Sequence, residues 1–413
     1  TKLDMEEVAV PHFFICPISL EIMKDPVTVP TGITYDRESI EKWLFGGKNA
    51  TCPVTKQVIA DCELTPNHTL RRLIQSWCTL HASHGVERIP TPKPPTSKSQ
   101  LMKLLMETKT PQQQVTCLRK LRSIASDNET NKRNMEAVGA VDFLTTMING
   151  FELECSYQFG GCELGRPPSE EALSILYTLQ VSEETLTRLA RSDVFIDSLT
   201  RIMRTGSYES RAYAVLMLKS VLELADPVKI ISLRQNHFVE VVAVLKDQIS
   251  QQASKACLQL LINLAPWGRN RVKTVEAGAV PALVDILLES HDRRATEMSL
   301  TLLDLLCQCA EGRAALLGHA AGIAVVSKKI LRVSGVGTER GVRILTSVSK
   351  FSATPAVIQE MLQVGVVAKL CLVLQVECGS KVKDKAREVL RLHAKYWKDS
   401  QCIPASFASS YPS

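Results

Sequence analysis

The stretch Phe14-Ile15-Cys16-Pro17-Ile18-Ser19-Leu20-Glu21-Ile22-Met23, continued by Asp25-Pro26-Val27 and later by Thr51-Cys52-Pro53-Val54-Thr55, sets the tightest limit on how this chain begins to fold. A metal-stapled pair of loops would need a second Cys where Ser19 and Thr55 stand. Two zinc ions take about eight Cys or His ligands, four to each. Cys16 and Cys52 are each alone at their motif, and no Cys-x-x-Cys occurs before Cys117. Apolar packing and hydrogen bonds must therefore hold this region, without metal.

Its local structure can be read residue by residue. Pro11 and Pro17 fix φ and remove donors, so the segment between them is a braced loop and not a helix. Asp25-Pro26 and Gly32 mark turns. Asp36 suits the N-cap of a helix whose apolar face is Ile40, Trp43 and Leu44, and Gly46-Gly47 ends it. Pro66-Asn67 precedes a second helix with Leu70, Leu73, Ile74 and Trp77 on one stripe. A unit of about 75 residues is near the lower size at which a metal-free core suffices.

In order and content these segments resemble the U-box, the zinc-free relative of the RING finger in ubiquitin ligases. Thr31-Gly32-Ile33-Thr34-Tyr35-Asp36-Arg37 is similar to the family's central turn, and Ser39-Ile40-Glu41-Lys42-Trp43-Leu44 to its helix. Leu64-Thr65-Pro66-Asn67-His68-Thr69-Leu70-Arg71 is similar to the entry of its last helix. The tail Glu87-Arg88-Ile89-Pro90-Thr91-Pro92-Lys93-Pro94-Pro95 looks like that of the plant U-box group whose remaining chain is armadillo repeats.

The remainder supports that reading on its own pattern. From residue 97 onward the chain is rich in Leu, Ala and Val, and one phrase recurs: a polar step, a Gly with small residues, then an amphipathic helix. Gly278, Gly322 and Gly365 stand 44 and 43 residues apart, with weaker copies near Val194 and Phe238. A period of roughly 40–47 residues marks armadillo or HEAT units, none of which buries its apolar face without neighbours. Gly in each copy is expected to supply a sharp turn, and Pro281 the first position of the helix that follows. Five runs read as the inner, third helix: Leu118 to Ala125, Leu173 to Leu179, Leu258 to Ala265, Leu302 to Leu306 and Val342 to Val348. About six repeats result, closed by a helix from Val382 to Trp397.

The expected architecture is mainly α: a small zinc-free α+β U-box (RING-like) over 8–83, a Pro-rich linker over 84–98, an α-solenoid of armadillo repeats over 99–398, and a disordered tail over 399–413. The stretch 150–168, with Gly160-Gly161 and Pro167-Pro168, breaks the period and reads as a surface loop. A net charge of +6 without a basic block among aromatics argues against nucleic acid, and no apolar run is long enough to span a bilayer. Thirteen irregularly spaced cysteines read as buried reduced thiols, placing the chain in the cytoplasm, with the nucleus also open.

The resemblance implies an adaptor catalyst that needs no cofactor. A U-box docks a ubiquitin-charged conjugating enzyme and orients its ubiquitin for attack by a substrate lysine, a gain in proximity. Ile18 and Leu20 on the first loop and Pro53 on the second match the family's apolar groove for that enzyme. Trp43 lies between the loops, and both core and contact stay open for it. Lys56 stands where many relatives carry an Arg that bridges ubiquitin and conjugating enzyme; its ammonium lacks the planar fork. No nucleophile is expected. Cys16 has apolar sequence neighbours and, with Asp36, Arg37 and Asn67, reads as structural. Glu38 reads as a further brace. Protein substrates are expected on the armadillo face, and pairing of two chains through the U-box is open. The alternatives are a non-catalytic armadillo scaffold and a factor that extends existing ubiquitin chains.

Overall fold

The computed structural model describes residues 9–46, 49–59, 64–82, 86–87, 96–108, 113–150 and 167–397. Most of the expected linker, the 151–166 part of the loop, the 399–413 tail and Cys62 lie outside the described residues. The chain divides into two compact units, residues 1–144 with 178–180, and residues 145–177 with 181–413.

In the first unit three short strands, β1 (Pro26–Thr28), β2 (Thr34–Asp36) and β3 (Thr65–Pro66), form an antiparallel sheet in the order β2-β1-β3. Val27 pairs with Tyr35 and Thr28 with Thr65, which puts Val27 and Tyr35 into the core at 0% exposure. Helix α1 (Arg37–Glu41) leaves β2 directly and continues as a π-helical turn over Lys42–Gly46. Helix α2 (His68–Leu80) starts at Asn67, whose Oδ1 accepts from Leu70 N–H at 3.1 Å, as a capping residue should. Phe14, Met23, Val27, Tyr35, Ile40, Leu44, Ile59 and Ile74 fill the core with Cys16, Cys52 and Cys78.

Two local expectations change here. Asp36 holds the N-cap position of α1, but its side chain makes no capping bond. Its Oδ1 instead accepts from Lys24 N–H at 2.8 Å and Asp25 N–H at 2.9 Å, fastening the preceding loop to β2. Leu73 is exposed and not part of the buried stripe; α2 buries Ile74 and Cys78 one position on. The same unit also contains α3 (Lys98–Glu107), α4 (Gln114–Asp127), α5 (Glu129–Ala137) and the start of α6 (Ala140–Asn149). The N-terminal fold and the first helices of the array thus share one unit, where the sequence suggested separate domains joined by an extended linker.

The helices that follow come in threes: Glu183–Ala190, Asp193–Thr205 and Tyr208–Glu223; Pro227–Ser232, Gln235–Asp247 and Gln251–Leu264; Asn270–Glu276, Ala279–Glu289 and Arg293–Leu306; Ala310–Leu317, Gly322–Lys329 and Gly335–Phe351; Pro355–Gln363, Val366–Gln375 and Ser380–Leu392. The expected third helices Leu118 to Ala125 and Leu173 to Leu179 lie in α4 and in Pro168–Leu179, ahead of these five trios, and α4 packs on both α3 and α5. Within the second unit each long third helix packs on the next, so their leucines form a continuous core.

The glycines act in different ways. Gly278 (φ 82°) and Gly365 (φ 75°) are left-handed turns between the short first and the second helix, as expected. Gly322 lies outside the left-handed region; a Cβ there would sit 2.0 Å from the Leu316 carbonyl oxygen, so close backbone approach excludes a side chain. Pro281 is the third residue of its helix, not the first, because the helix begins at Ala279. Its missing N–H falls among the leading donors that have no helical partner. The closing helix is broken at His393 into Ser380–Leu392 and Ala394–Trp397.

The small N-terminal core gives a direct prediction. Ile40→Ala removes a fully buried side chain from α1 and is expected to cost about 2–5 kcal/mol. Denaturant unfolding followed by tryptophan fluorescence would show an early transition in the N-terminal fold, while helical circular dichroism from the repeats persists.

Candidate functional site

The two Cys-Pro loops are built on one plan. In the first, Cys16 N–H donates to Glu21 O at 2.8 Å, Leu20 N–H donates to Cys16 O at 2.9 Å, and Ile15 bridges Ile22. In the second, Cys52 N–H donates to Gln57 O at 2.8 Å, Lys56 N–H donates to Cys52 O at 2.9 Å, and Thr51 bridges Val58. Leu20 (φ 58°) and Lys56 (φ 59°) occupy matching left-handed positions. Non-glycine residues held there carry strain on the order of 1–3 kcal/mol.

Each loop is fixed through its sulfur. Cys16 Sγ accepts from the backbone N–H of Asp36 at 3.3 Å. Cys52 Sγ receives the Thr31 hydroxyl at 3.3 Å and Thr55 N–H at 3.5 Å, and lies 3.0 Å from the Tyr35 hydroxyl. Tyr35 Oη in turn accepts from Val54 N–H at 3.2 Å. Burial opposes ionisation of Cys52, but the hydrogen bonds from Thr31, Thr55 and Tyr35 outweigh it and bring the thiol down to about 6. Burial, with the bond to Cys52, pushes the Tyr35 hydroxyl well above its ordinary value, so it stays a donor to the thiolate. These bonds do what ligand–metal bonds do in zinc-stapled loops. With 0% exposure, neither Cys16 nor Cys52 is placed to attack a substrate.

Both loops leave apolar side chains partly or largely exposed. Ile18 is half-buried, Leu20 is 77% exposed and Val54 52% exposed, with half-buried Pro53 beside it. Trp43, on the π-helical turn, donates from Nε1 to Thr51 O at 2.9 Å and so ties helix to second loop. Trp43 packs on the core while staying half-buried. The Lys56 ammonium lies 5.9 Å from that ring's centroid, within cation–π reach. Ile18, Leu20, Pro53, Trp43 and Lys56 thus lie on the two loops and the turn that Trp43 ties to the second of them.

The polar residues expected to be structural behave differently from one another. Arg37 is buried and its Nε donates to Asp25 Oδ2 at 2.6 Å, while Asp25 also meets Arg71 at 3.4 Å. Asn67 caps α2 and its own N–H donates to Pro26 O at 2.8 Å. Glu38 does not brace the loops; it pairs with Lys42 one turn along an exposed helix face, and that bond holds its carboxyl below the usual range. Sequence reasoning missed Thr31, Tyr35 and Val54. Only the exposed apolar Val54 beside Pro53 carries a signal visible in the sequence.

On the second unit the third helices offer a polar face. Tyr177 and Tyr213 stack with centroids 5.0 Å apart, and Gln252 Nε2 donates to the Tyr177 hydroxyl at 3.1 Å. Lys255 pairs with Asp292 at 2.7 Å, and buried Asp304 holds Arg340 and Arg343 at 2.9 and 2.7 Å.

The thiol chemistry predicts a pH effect with a definite sign. Between pH about 6 and about 8.5 the folded chain holds Cys52 as thiolate while the unfolded chain keeps the proton. Raising the pH through this window therefore favours the folded state, and the advantage disappears below the folded value. The gap in denaturant midpoint between wild type and Cys52→Ser should be wider at the upper end of the window than at the lower end.

Comparison with known proteins agrees with this geometry. The profile described as "U-box domain" matches residues 10–83, and that described as "Plant U-box protein ARM repeat region" matches 98–413. The E3 ubiquitin-protein ligase PUB23 of Arabidopsis thaliana is 55% identical over 98% of this chain and 98% of its own. The E3 ubiquitin-protein ligase PUB22 of the same plant is 53% identical over 98% of this chain and 99% of its own. A solved structure, from work on a phosphorylation switch controlling the interaction between cadherin and beta-catenin, aligns with a TM-score of 0.58 at 14% identity. It covers 85% of this chain and 60% of that one, a likeness of fold alone.

Proposed function

The chain belongs to the plant U-box family with armadillo repeats, and from that premise we propose that it is a ubiquitin ligase whose two loops dock a ubiquitin-charged conjugating enzyme. The observation that carries the docking site is Leu20. It is 77% exposed and left-handed, so neither burial nor backbone preference favours a leucine there. A partner that covers it accounts for both costs. Ile18, Pro53, Val54 and the edge of Trp43 extend the same surface to an apolar patch with a charged rim at Lys56.

The mechanism follows from what these residues hold. No side chain of the chain bonds to ubiquitin; the thioester stays on the conjugating enzyme until a substrate lysine attacks it. The ligase contributes position: the docked enzyme is fixed by the apolar patch, and a donor beside it restrains the ubiquitin so that the thioester faces the incoming amine. Lys56 fills that role here. Its seat over Trp43 and its left-handed backbone limit how far the ammonium strays, while its single charge holds the ubiquitin less rigidly than a guanidinium.

The armadillo third-helix face, with the Tyr177–Tyr213 pair and the Lys255 and Arg343 groups, takes the substrate protein in this reading. Leu73 and Leu80 stand exposed on one stripe of α2, the surface assigned to pairing of two U-boxes. A cytoplasmic or nuclear place of work belongs to the same reading. The scaffold alternative gives Leu20 no purpose.

Single-turnover discharge of ubiquitin from charged conjugating enzymes onto free lysine tests the assignment. Leu20→Ala is expected to slow discharge by about tenfold or more without lowering stability, and Lys56→Arg to speed it by a few-fold. Equal rates in the wild type and Leu20→Ala across a panel of conjugating enzymes would remove the docking site.

A further inference from the structure

Glu41 is the last residue of α1, two positions before Trp43, and its side chain is 1% exposed. Its Oε1 accepts the Thr130 hydroxyl at 2.5 Å and its Oε2 accepts Glu129 N–H at 3.1 Å, contacts that span 88 and 89 residues of sequence. Arg37 stands 3.6 Å away on the other side and is itself held by Asp25. Four residues on, Phe45 carries the Arg133 guanidinium over its ring at 3.2 Å from the centroid. Glu129, Thr130 and Arg133 all belong to α5, which packs on α4. The far end of the linker is fastened to that helix too: Thr96 N–H donates to Asn131 Oδ1 at 2.8 Å, and Asn134 Nδ2 donates to Thr96 O at 3.2 Å.

A buried carboxylate needs its partners, because without them its desolvation is uncompensated. Evenly solvated helix faces do not bury one, so Glu41 marks a contact that is built. The segment 37–46 therefore has opposite duties on its two sides: Trp43 faces the docking groove, while Glu41 and Phe45 face α5. We infer that Glu41 and Phe45 clamp the U-box onto α5, so that the conjugating-enzyme groove is held against the helices that share its compact unit instead of swinging on the Pro-rich linker. Glu41 is thereby a positioning residue: it touches neither ubiquitin nor the conjugating enzyme, and it limits which lysines reach the thioester. The inference rests on the ligase reading for its consequence and on the contacts with α5 for its existence.

The experiment uses the full chain as wild type, Glu41→Gln and Thr130→Val; the last leaves every U-box residue unchanged. Amide exchange is followed in the first turn of α5 and in the U-box core. Discharge from a charged conjugating enzyme onto free lysine is measured beside it, and the lysines modified during self-ubiquitination are mapped by mass spectrometry. Exchange in the first turn of α5 is expected to rise about tenfold in both variants. Core exchange and free-lysine discharge are expected to stay within about twofold of wild type, while self-modification spreads to lysines the wild type leaves bare. Unchanged exchange with an unchanged lysine map overturns the clamp. Loss of free-lysine discharge in Thr130→Val, with the U-box core still protected, overturns it as well, since the residues would then act on the groove itself. A wild type that discharges no ubiquitin counts against the ligase reading, and the exchange comparison then decides the clamp alone.

Discussion

Two sulfur atoms, at Cys16 and Cys52, organise the N-terminal fold. Each sits fully buried and bonds to residues well removed in sequence: Asp36 N–H for Cys16, and Thr31 and Tyr35 for Cys52, which also receives Thr55 N–H from its own loop. A thiolate accepts several donors at once, which a neutral thiol does poorly. At Cys52 that property lets the second loop be held by hydrogen bonds where many domains of this size use a metal. The cost is a strained residue at the same point of each loop, Leu20 and Lys56. Those two side chains are turned outward by that backbone, and they are the ones the ligase reading uses.

The armadillo array obeys a different constraint. Its helices are amphipathic and short, so each repeat depends on its neighbours for burial. Helices α3, α4 and α5 lie in the same compact unit as the U-box, and α5 takes contacts from Glu41, Phe45 and Thr96. Holding a catalytic module against α5, and not at the end of a free linker, suits a reaction whose rate gain is entirely positional.

Much of this was legible in the sequence because the signals were periodic or chemically narrow. Pro66-Asn67 marked the start of the second helix, and the 44- and 43-residue spacing of Gly278, Gly322 and Gly365 marked the repeat. What stayed hidden depended on where long-range partners meet. Tyr35 stands in the sequence only as part of the central turn segment, and its role shows once its hydroxyl is found beside Cys52. Asp36 has the right identity for a cap, but two nearer backbone donors compete for its carboxylate and win. Glu41 looks like an ordinary helix-face charge, since nothing in its neighbourhood names a partner 88 residues on. Gly322 and Gly278 occupy equivalent places in the repeat, yet one serves close approach and the other a left-handed turn, a difference that backbone geometry alone decides.

The account centres on the exposed apolar surface that the two sulfur-held loops present. Methyl resonances of Ile18 and Leu20, recorded on the full chain while a conjugating enzyme is added, test it most directly. The account predicts that both shift or broaden with the enzyme, while the buried methyls of Ile40 and Ile74 stay in place. Resonances of Ile18 and Leu20 that remain unmoved by every conjugating enzyme tried, in a chain whose core methyls report a folded domain, would contradict it.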